Sequence, residues 1–310
     1  MSQHRRVQVV AFWVGIGAVL TLWAPLKADT VVYASDDPDG AMAVGTRPPA
    51  TGQVEIEAGD DFILDSETLI TSATFKGLIP TAAGVGDVAQ VVVEIYRVFP
   101  NDSDANRTPR VPTRVNSPGD QAFDQRDSAL SELTFSVSIV GSFSAANSVL
   151  NGINPSPNQT TGGEGAVSGQ EVLITVQFAT PFDLPADHYF FVPQVQLNTG
   201  QFLWLSAPRP TVAPGTPISP DLQAWIRNAD LDPDWLRIGT DIVGGATAPT
   251  FNMTFSVFGY VVQAPPSGTN ACGVGVCGPG GLTSIPLSLL GLTLMRLRCV
   301  GRGSVRFRRG

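Results

Sequence analysis

Apolar residues in the middle of this chain recur at every second position, in short runs broken by turn residues, not at the three-to-four spacing of a helix. Leu133, Phe135, Val137 and Ile139 alternate with Thr134, Ser136 and Ser138. Val172, Ile174, Val176 and Phe178 alternate with Thr175 and Gln177, and Phe251, Met253, Phe255 and Val257 share a face. Successive side chains of an extended chain point to opposite faces, so each run predicts a strand with one face in a core and the other wetter. Val31 to Tyr33, Asp60 to Leu64, Leu69 to Phe75, and Val91 to Phe99 with Val91, Val93 and Ile95 together, read as further strands. Outside the two ends no segment of helix length carries an apolar stripe.

The aromatic stretch from Phe182 to Ala207 is the predicted centre of the core. His188-Tyr189-Phe190-Phe191-Val192 continues through Pro193 to Leu197, turns at Asn198-Thr199-Gly200, and returns as Gln201-Phe202-Leu203-Trp204-Leu205, which reads as a hairpin. Tyr189, Phe191, Val195 and Leu197 fall on one face; Phe202 and Trp204 oppose Leu203 and Leu205. With many short strands, 32 Gly, 25 Pro and no alternation of strands with helices, the pattern predicts an all-β fold, an antiparallel two-sheet β-sandwich that is jelly-roll-like, with terminal hydrophobic helices outside the domain. Three long connections interrupt it, Pro100 to Ser131, Gly141 to Gln170 and Ser206 to Asp221.

The ends follow another logic. Arg5 and Arg6 precede an apolar run from Val7 to Leu22 and small residues to Ala28, the layout of a secretory signal peptide over residues 1–28. The sandwich is expected over 29–262, a linker with a Cys pair over 263–281, and a hydrophobic segment with an Arg-rich tail over 282–310. As a helix at ~1.5 Å per residue, Leu282 to Met295 reaches about 21 Å, short of the ~30 Å hydrocarbon core. Arg-rich flanks stay cytoplasmic, so export leaves the middle of the chain outside.

Setting the ends aside changes the charge. The chain has 19 basic and 27 acidic residues; the ends remove nine bases and no acids, leaving 10 against 27 and a net −17 for residues 29–281, where the whole chain carries −8. Such a domain repels nucleic acid and anionic lipid. All three cysteines, Cys272, Cys277 and Cys299, lie beyond the predicted sandwich. Cys272 and Cys277 are spaced for a small disulfide loop or a lipid attachment point, or are discarded with the tail.

Candidate chemistry is sparse. His4 belongs to the signal segment, so His188 is the only histidine for a triad; no Gly-x-Ser-x-Gly elbow accompanies it, and it reads as the polar end of an aromatic strand. No catalytic constellation is recognised. Asp230, Asp232 and Asp234 alternate, and Asp241 stands at the twelfth position of a calcium loop, although Trp235 replaces the required Gly and Pro233 stiffens the run. The other reading is a solvent-exposed Asp-Pro turn. Trp225 and Trp235, near Arg227 and Asn228, are candidates for stacking on sugar rings, or else core residues. Arg97, Arg107, Arg110, Arg114 and Arg126 are interleaved with aspartates and read as local ion pairs more than as an anion grip.

The tail, with Pro279, Gly280 and Gly281, an apolar segment and terminal arginines, resembles the PEP-CTERM-like C-terminal sorting signals of bacterial envelope proteins, with Gly278-Pro279-Gly280-Gly281 beside Cys277 where the commonest form has Pro-Glu-Pro. The body resembles β-sandwich modules found ahead of such tails, through Asp60-Asp61-Phe62, Ile70 to Gly77, Val93-Glu94-Ile95-Tyr96 and Phe182-Asp183-Leu184-Pro185-Ala186. The resemblance implies an exported protein at the cell surface or outer envelope. It implies processing by an exosortase-type transpeptidase and contact with the membrane through the C-terminal segment before processing. An envelope polysaccharide is the expected partner and calcium the only expected cofactor; the rival roles are a purely architectural matrix component and an extracellular hydrolase using acidic loop residues.

Overall fold

β-branched and aromatic residues at alternating positions form fifteen strands among the described residues of the computed structural model, which are 29–99, 111–153 and 159–262. In chain order they are β1 (Thr30–Ser35), β2 (Met42–Gly45), β3 (Ile56–Leu64), β4 (Thr68–Ile79), β5 (Val88–Arg97), β6 (Asp124–Asp127), β7 (Leu133–Ala145) and β8 (Asn147–Val149). There follow β9 (Val167–Leu184), β10 (Asp187–Leu197), β11 (Leu203–Ala207), β12 (Trp225–Asn228), β13 (Leu236–Arg237), β14 (Asn252–Met253) and β15 (Phe255–Val261). The predicted signal segment over 1–28, Cys272, Cys277, Pro279, Gly280, Gly281 and the arginine tail, with the predicted terminal helices, lie outside the described residues.

The strands form an all-β sandwich of two antiparallel-rich sheets. The first runs β1-β15-β4-β11-β2-β8, with β14 on β11 and with β9 and then β7 beside β4; the second runs β13-β12-β3-β10-β5-β6. The pairing of β2 with β8 is parallel. The inner faces meet in one apolar core. Tyr33, Phe75, Ile174, Val176, Trp204 and Phe255 of the first sheet close on Phe62, Val91, Val93, Tyr189 and Phe191 of the second. Phe191 and Phe255 stack across the gap with centroids 5.0 Å apart and planes 2° from parallel. The buried indole of Trp204 donates from Nε1 to the Thr254 carbonyl at 2.8 Å, so its polar edge is satisfied inside the core.

The faces predicted for Val172 to Phe178, for Phe251 to Val257 and for the aromatic stretch hold; the hairpin does not. β10 pairs with β3 and β5 in the second sheet, whereas β11 pairs with β2, β4 and β14 in the first. The Asn198-Thr199-Gly200 connection, with Gly200 at φ 86°, therefore arches from one sheet to the other. Two consecutive strands that are apolar on both faces can meet edge to edge or face to face, and alternation alone does not choose between them.

β7 departs in a second way. Leu133 is buried and Phe135 and Val137 are half-buried, but Ile139 is 52% exposed, because β7 is the outermost strand beyond β9 and overhangs the opposing sheet. Two of the expected structureless connections also carry strands: β6 lies in the first, and the end of β7, β8 and the start of β9 lie in the second.

Candidate functional site

The outer face of the second sheet carries a buried polar group beside an apolar cluster, and the alternation that fills the core on the inner side places both. On β3, Ile56 and Ala58 join the core while Glu57 points away; on β5, Val93 and Ile95 go in while Glu94 and Tyr96 go out; on β12, Ile226 goes in and Arg227 out. Antiparallel register sets Arg227 directly opposite Glu57. The carboxylate takes the guanidinium at both oxygens, through Nε to Oε2 and through Nη2 to Oε1 at 3.0 Å. Such a planar, bidentate pair is the geometry Arg supplies and Lys does not.

Tyr96 closes the network. Its hydroxyl accepts from Arg227 Nη2 at 2.8 Å and donates to Glu57 Oε1 at 2.5 Å, while Glu94 Oε2 lies 3.1 Å from the same oxygen. Arg227 Nη1 adds a 2.9 Å ion pair with Asp232 and a 3.2 Å bond to the Asp120 carbonyl. Burial, then the charge of Glu57 and its hydrogen bond, pushes the Glu94 carboxyl up to about 8, so it holds its proton at neutral pH. Burial alone would lower the Arg227 guanidinium, but Glu57 outweighs it and the net shift is upward. Burial together with Glu57 and Glu94 raises the Tyr96 phenol and keeps it protonated.

Above this network opens a cavity of about 550 Å³, walled by Glu94, Asp120, Gln121, Gln125, Arg227 and Asp232. Below it lies an apolar layer of Tyr96, Phe190, Val192, Leu222, Trp225 and Trp235. The Trp235 ring supports the guanidinium of Arg227 at 4.5 Å and meets Tyr96 edge-on at 5.3 Å, and its Nε1 donates to the Gly119 carbonyl at 3.2 Å.

The predicted site residues separate on this geometry. Arg227 and Asp232 reach the cavity, and Asp232 is the exposed rim with 55% of its side chain in solvent. Trp225 and Trp235 are 2% and 1% exposed, which corrects the reading of stacking platforms: indoles are the largest apolar surfaces available, and here they seal the outer face of the sheet. Asn228 accepts from the Leu231 amide at 3.0 Å and serves a turn. The calcium run is corrected too. Asp230 is exposed, Asp232 pairs with Arg227, and Asp234 is buried with Arg114 at 4.0 Å. Asp241 holds Arg237 at 2.6 Å, and among the described residues no three His, Cys, Asp or Glu gather as metal ligands. Successive carboxylates of this run face different partners instead of one centre.

His188 lies elsewhere, with Nε2 2.6 Å from Asp61, whose other oxygen accepts from the Leu222 amide at 3.0 Å; among the described residues no serine hydroxyl meets the imidazole. Arg97, Arg114 and Arg126 pair with Asp187, Asp120 and Asp124; Arg107 and Arg110 are outside the described residues. Glu57, Glu94 and Tyr96 went unnoticed as site residues. Their signal was present, as polar positions between core residues, but only pairing across strands brings them together. No protein-family model, curated protein or solved structure matches the chain.

Proposed function

We propose that this is an exported, envelope-attached bacterial protein whose sandwich holds a saccharide of an envelope polysaccharide in the cavity over Arg227. The carrying observation is the composition of that open cavity: about 550 Å³ lined by carboxylates, amides and one guanidinium, together with Tyr96, Ala122 and Pro233. Small-ligand sites span roughly 300–1,000 Å³ and are mostly apolar, so a polar one of this size suits a ligand made of hydroxyls. Carboxylate oxygens accept from sugar hydroxyls and glutamine amides both donate and accept, while the Glu57 and Trp235 beneath hold Arg227 in place.

The pair Glu57 and Glu94 does not suit the hydrolase reading. Both carboxyls reach the one Tyr96 hydroxyl, Glu57 at 2.5 Å and Glu94 at 3.1 Å, which leaves no room between them for the scissile bond that a retaining pair flanks at ~5 Å or an inverting pair at ~6.5–9.5 Å. Binding without turnover is the reading adopted.

The test is a glycan array followed by calorimetry on the full chain, with and without calcium. Gln125→Ala, on the exposed rim, is expected to weaken binding by roughly tenfold, the worth of one or two hydrogen bonds. A blank array under both conditions, or binding indifferent to that change, overturns the saccharide reading. Export and sorting are tested apart from it: mass spectrometry of the protein from its host is expected to show residues 1–28 and 282–310 gone, and recovery of an intact arginine tail would mean a retained anchor.

A further inference from the structure

We propose that the free edge of β7 pairs with β7 of a second copy, antiparallel about a two-fold axis normal to the sheet, joining two sandwiches through one continuous sheet. This goes beyond the saccharide reading and does not depend on it. β7 is thirteen residues long, Leu133–Ala145, and among the described residues its pairing is with β9 on one side alone. An unpaired edge offers a row of amide and carbonyl groups to any incoming strand. Proteins guard such edges with charge, proline, shortness or a covering loop.

The sheet ends compare as follows. β6 is Asp-Gln-Arg-Asp; β8 has three residues and β13 two. β1 is uncharged, but the loop after β11 covers it, the Thr216 amide donating to the Ala34 carbonyl at 2.8 Å and the Thr216 hydroxyl accepting from the Ala34 amide at 3.1 Å. β7, LTFSVSIVGSFSA, has no charge and no proline, and a single irregularity between Ile139 and Gly141. In a chain segment of net −17, this is a long surface where two copies meet without setting like charges in contact.

Side chains indicate the same occupant. Phe135 and Val137 pack half-buried against the rim of the core, and Ile139 and Val140 are 52% and 56% exposed. A two-fold axis normal to the sheet keeps both inner faces on one side, so the core rims of the two copies meet. A register centred on Val137 sets Phe135 opposite Ile139 of the partner subunit and Glu132 opposite uncharged Ser142 of the partner subunit. Cross-strand apolar pairs of this kind stabilise a sheet, and a self-complementary strand closes as a dimer instead of growing.

Sedimentation of the full chain, with and without Ile139→Lys, tests this. Ile139 is largely exposed, so the variant is expected to keep its thermal midpoint while dimerising roughly tenfold or more weakly, since a charge must then be desolvated at the new interface. The second measurement places cysteines at both Ser136 and Ser138, which this register sets opposite each other across the two-fold axis, in a chain carrying C272S, C277S and C299S; oxidation is expected to give a covalent dimer. A protein that stays monomeric to about 100 µM, a dimer indifferent to Ile139→Lys, or cysteines that do not cross-link would each overturn the proposal. Gln125→Ala leaves dimerisation unchanged, which separates this result from the fate of the saccharide reading.

Discussion

Arg227 and Glu57 form a buried ion pair, and what matters energetically is the state left when one member goes. Replacing Arg227 with Met strands a carboxylate of 3% exposure against Tyr96 and Glu94, and breaking a buried pair in this way costs about 3–5 kcal/mol. Urea denaturation of the variant is expected to show that loss, and Arg227→Lys to recover only part of it, because an ammonium cannot span both oxygens and lie flat on Trp235. Glu94 contributes with a definite sign. Its proton is held up to about 8 in the folded chain against an ordinary value of 4.5, so the folded state binds more protons across that window. The contribution of Glu94 to stability is therefore greatest below the lower value, falls as pH rises between the two, and levels off above the upper one. Glu94→Gln, neutral throughout, is expected to flatten that fall, read as the difference between variant and parent midpoints from pH 5 to about 8. A parallel slope in the two proteins would mean that Glu94 ionises normally.

At the scale of elements, the informative case is the pair β10 and β11. In a hairpin the turn fixes register, and lengthening it disturbs both strands. Here Asn198-Thr199-Gly200 joins strands in different sheets, whose registers are set by β3 and β5 on one side and by β2 and β4 on the other. Inserting Gly-Ser after Thr199 is accordingly expected to cost under about 1 kcal/mol, the entropy of a slightly longer loop. A loss of several kcal/mol would imply that the turn does set register. Gly77 on β4 is the opposite case. A Cβ there would fall 2.2 Å from Phe202 Cζ and 2.8 Å from the Leu203 carbonyl oxygen, where β4 and β11 come together. Gly77→Ala is expected to lower stability by ~1–3 kcal/mol, visible as a drop in thermal midpoint, because backbone has to move.

Residues 29–262 form a sandwich whose two sheets present different surfaces. One sheet ends in a long uncharged edge; the other carries a polar cavity over a layer of aromatic rings. Hydrogen exchange is expected to be slowest in β3, β5 and β10, which lie inside the second sheet, and fastest along β7, whose outer groups face solvent in the monomer. Slow exchange along β7 that speeds up on dilution would be the dimer seen by another route.

The sequence by itself determined the all-β class and, for most strands, which side chains face the core. Alternation at Val172 to Phe178, Val91 to Ile95 and Phe251 to Val257 reads directly as the set that enters the space between the sheets, because a strand's side-chain period is a property of its own backbone. The charge of residues 29–281 and the placement of every cysteine outside 29–262 were also legible, since counting needs no coordinates. Pairing was decided only by the tertiary structure: that β10 and β11 part company, that Glu57, Glu94, Tyr96 and Arg227 from three strands share one network, that Trp225 and Trp235 are enclosed, and that the aspartates after Asn228 scatter. The physical reason is common to all four. A residue's face is fixed by its neighbours along the chain, but its partners are fixed by which strands compete best for each edge and each side of the core, and that competition is settled by the whole chain at once.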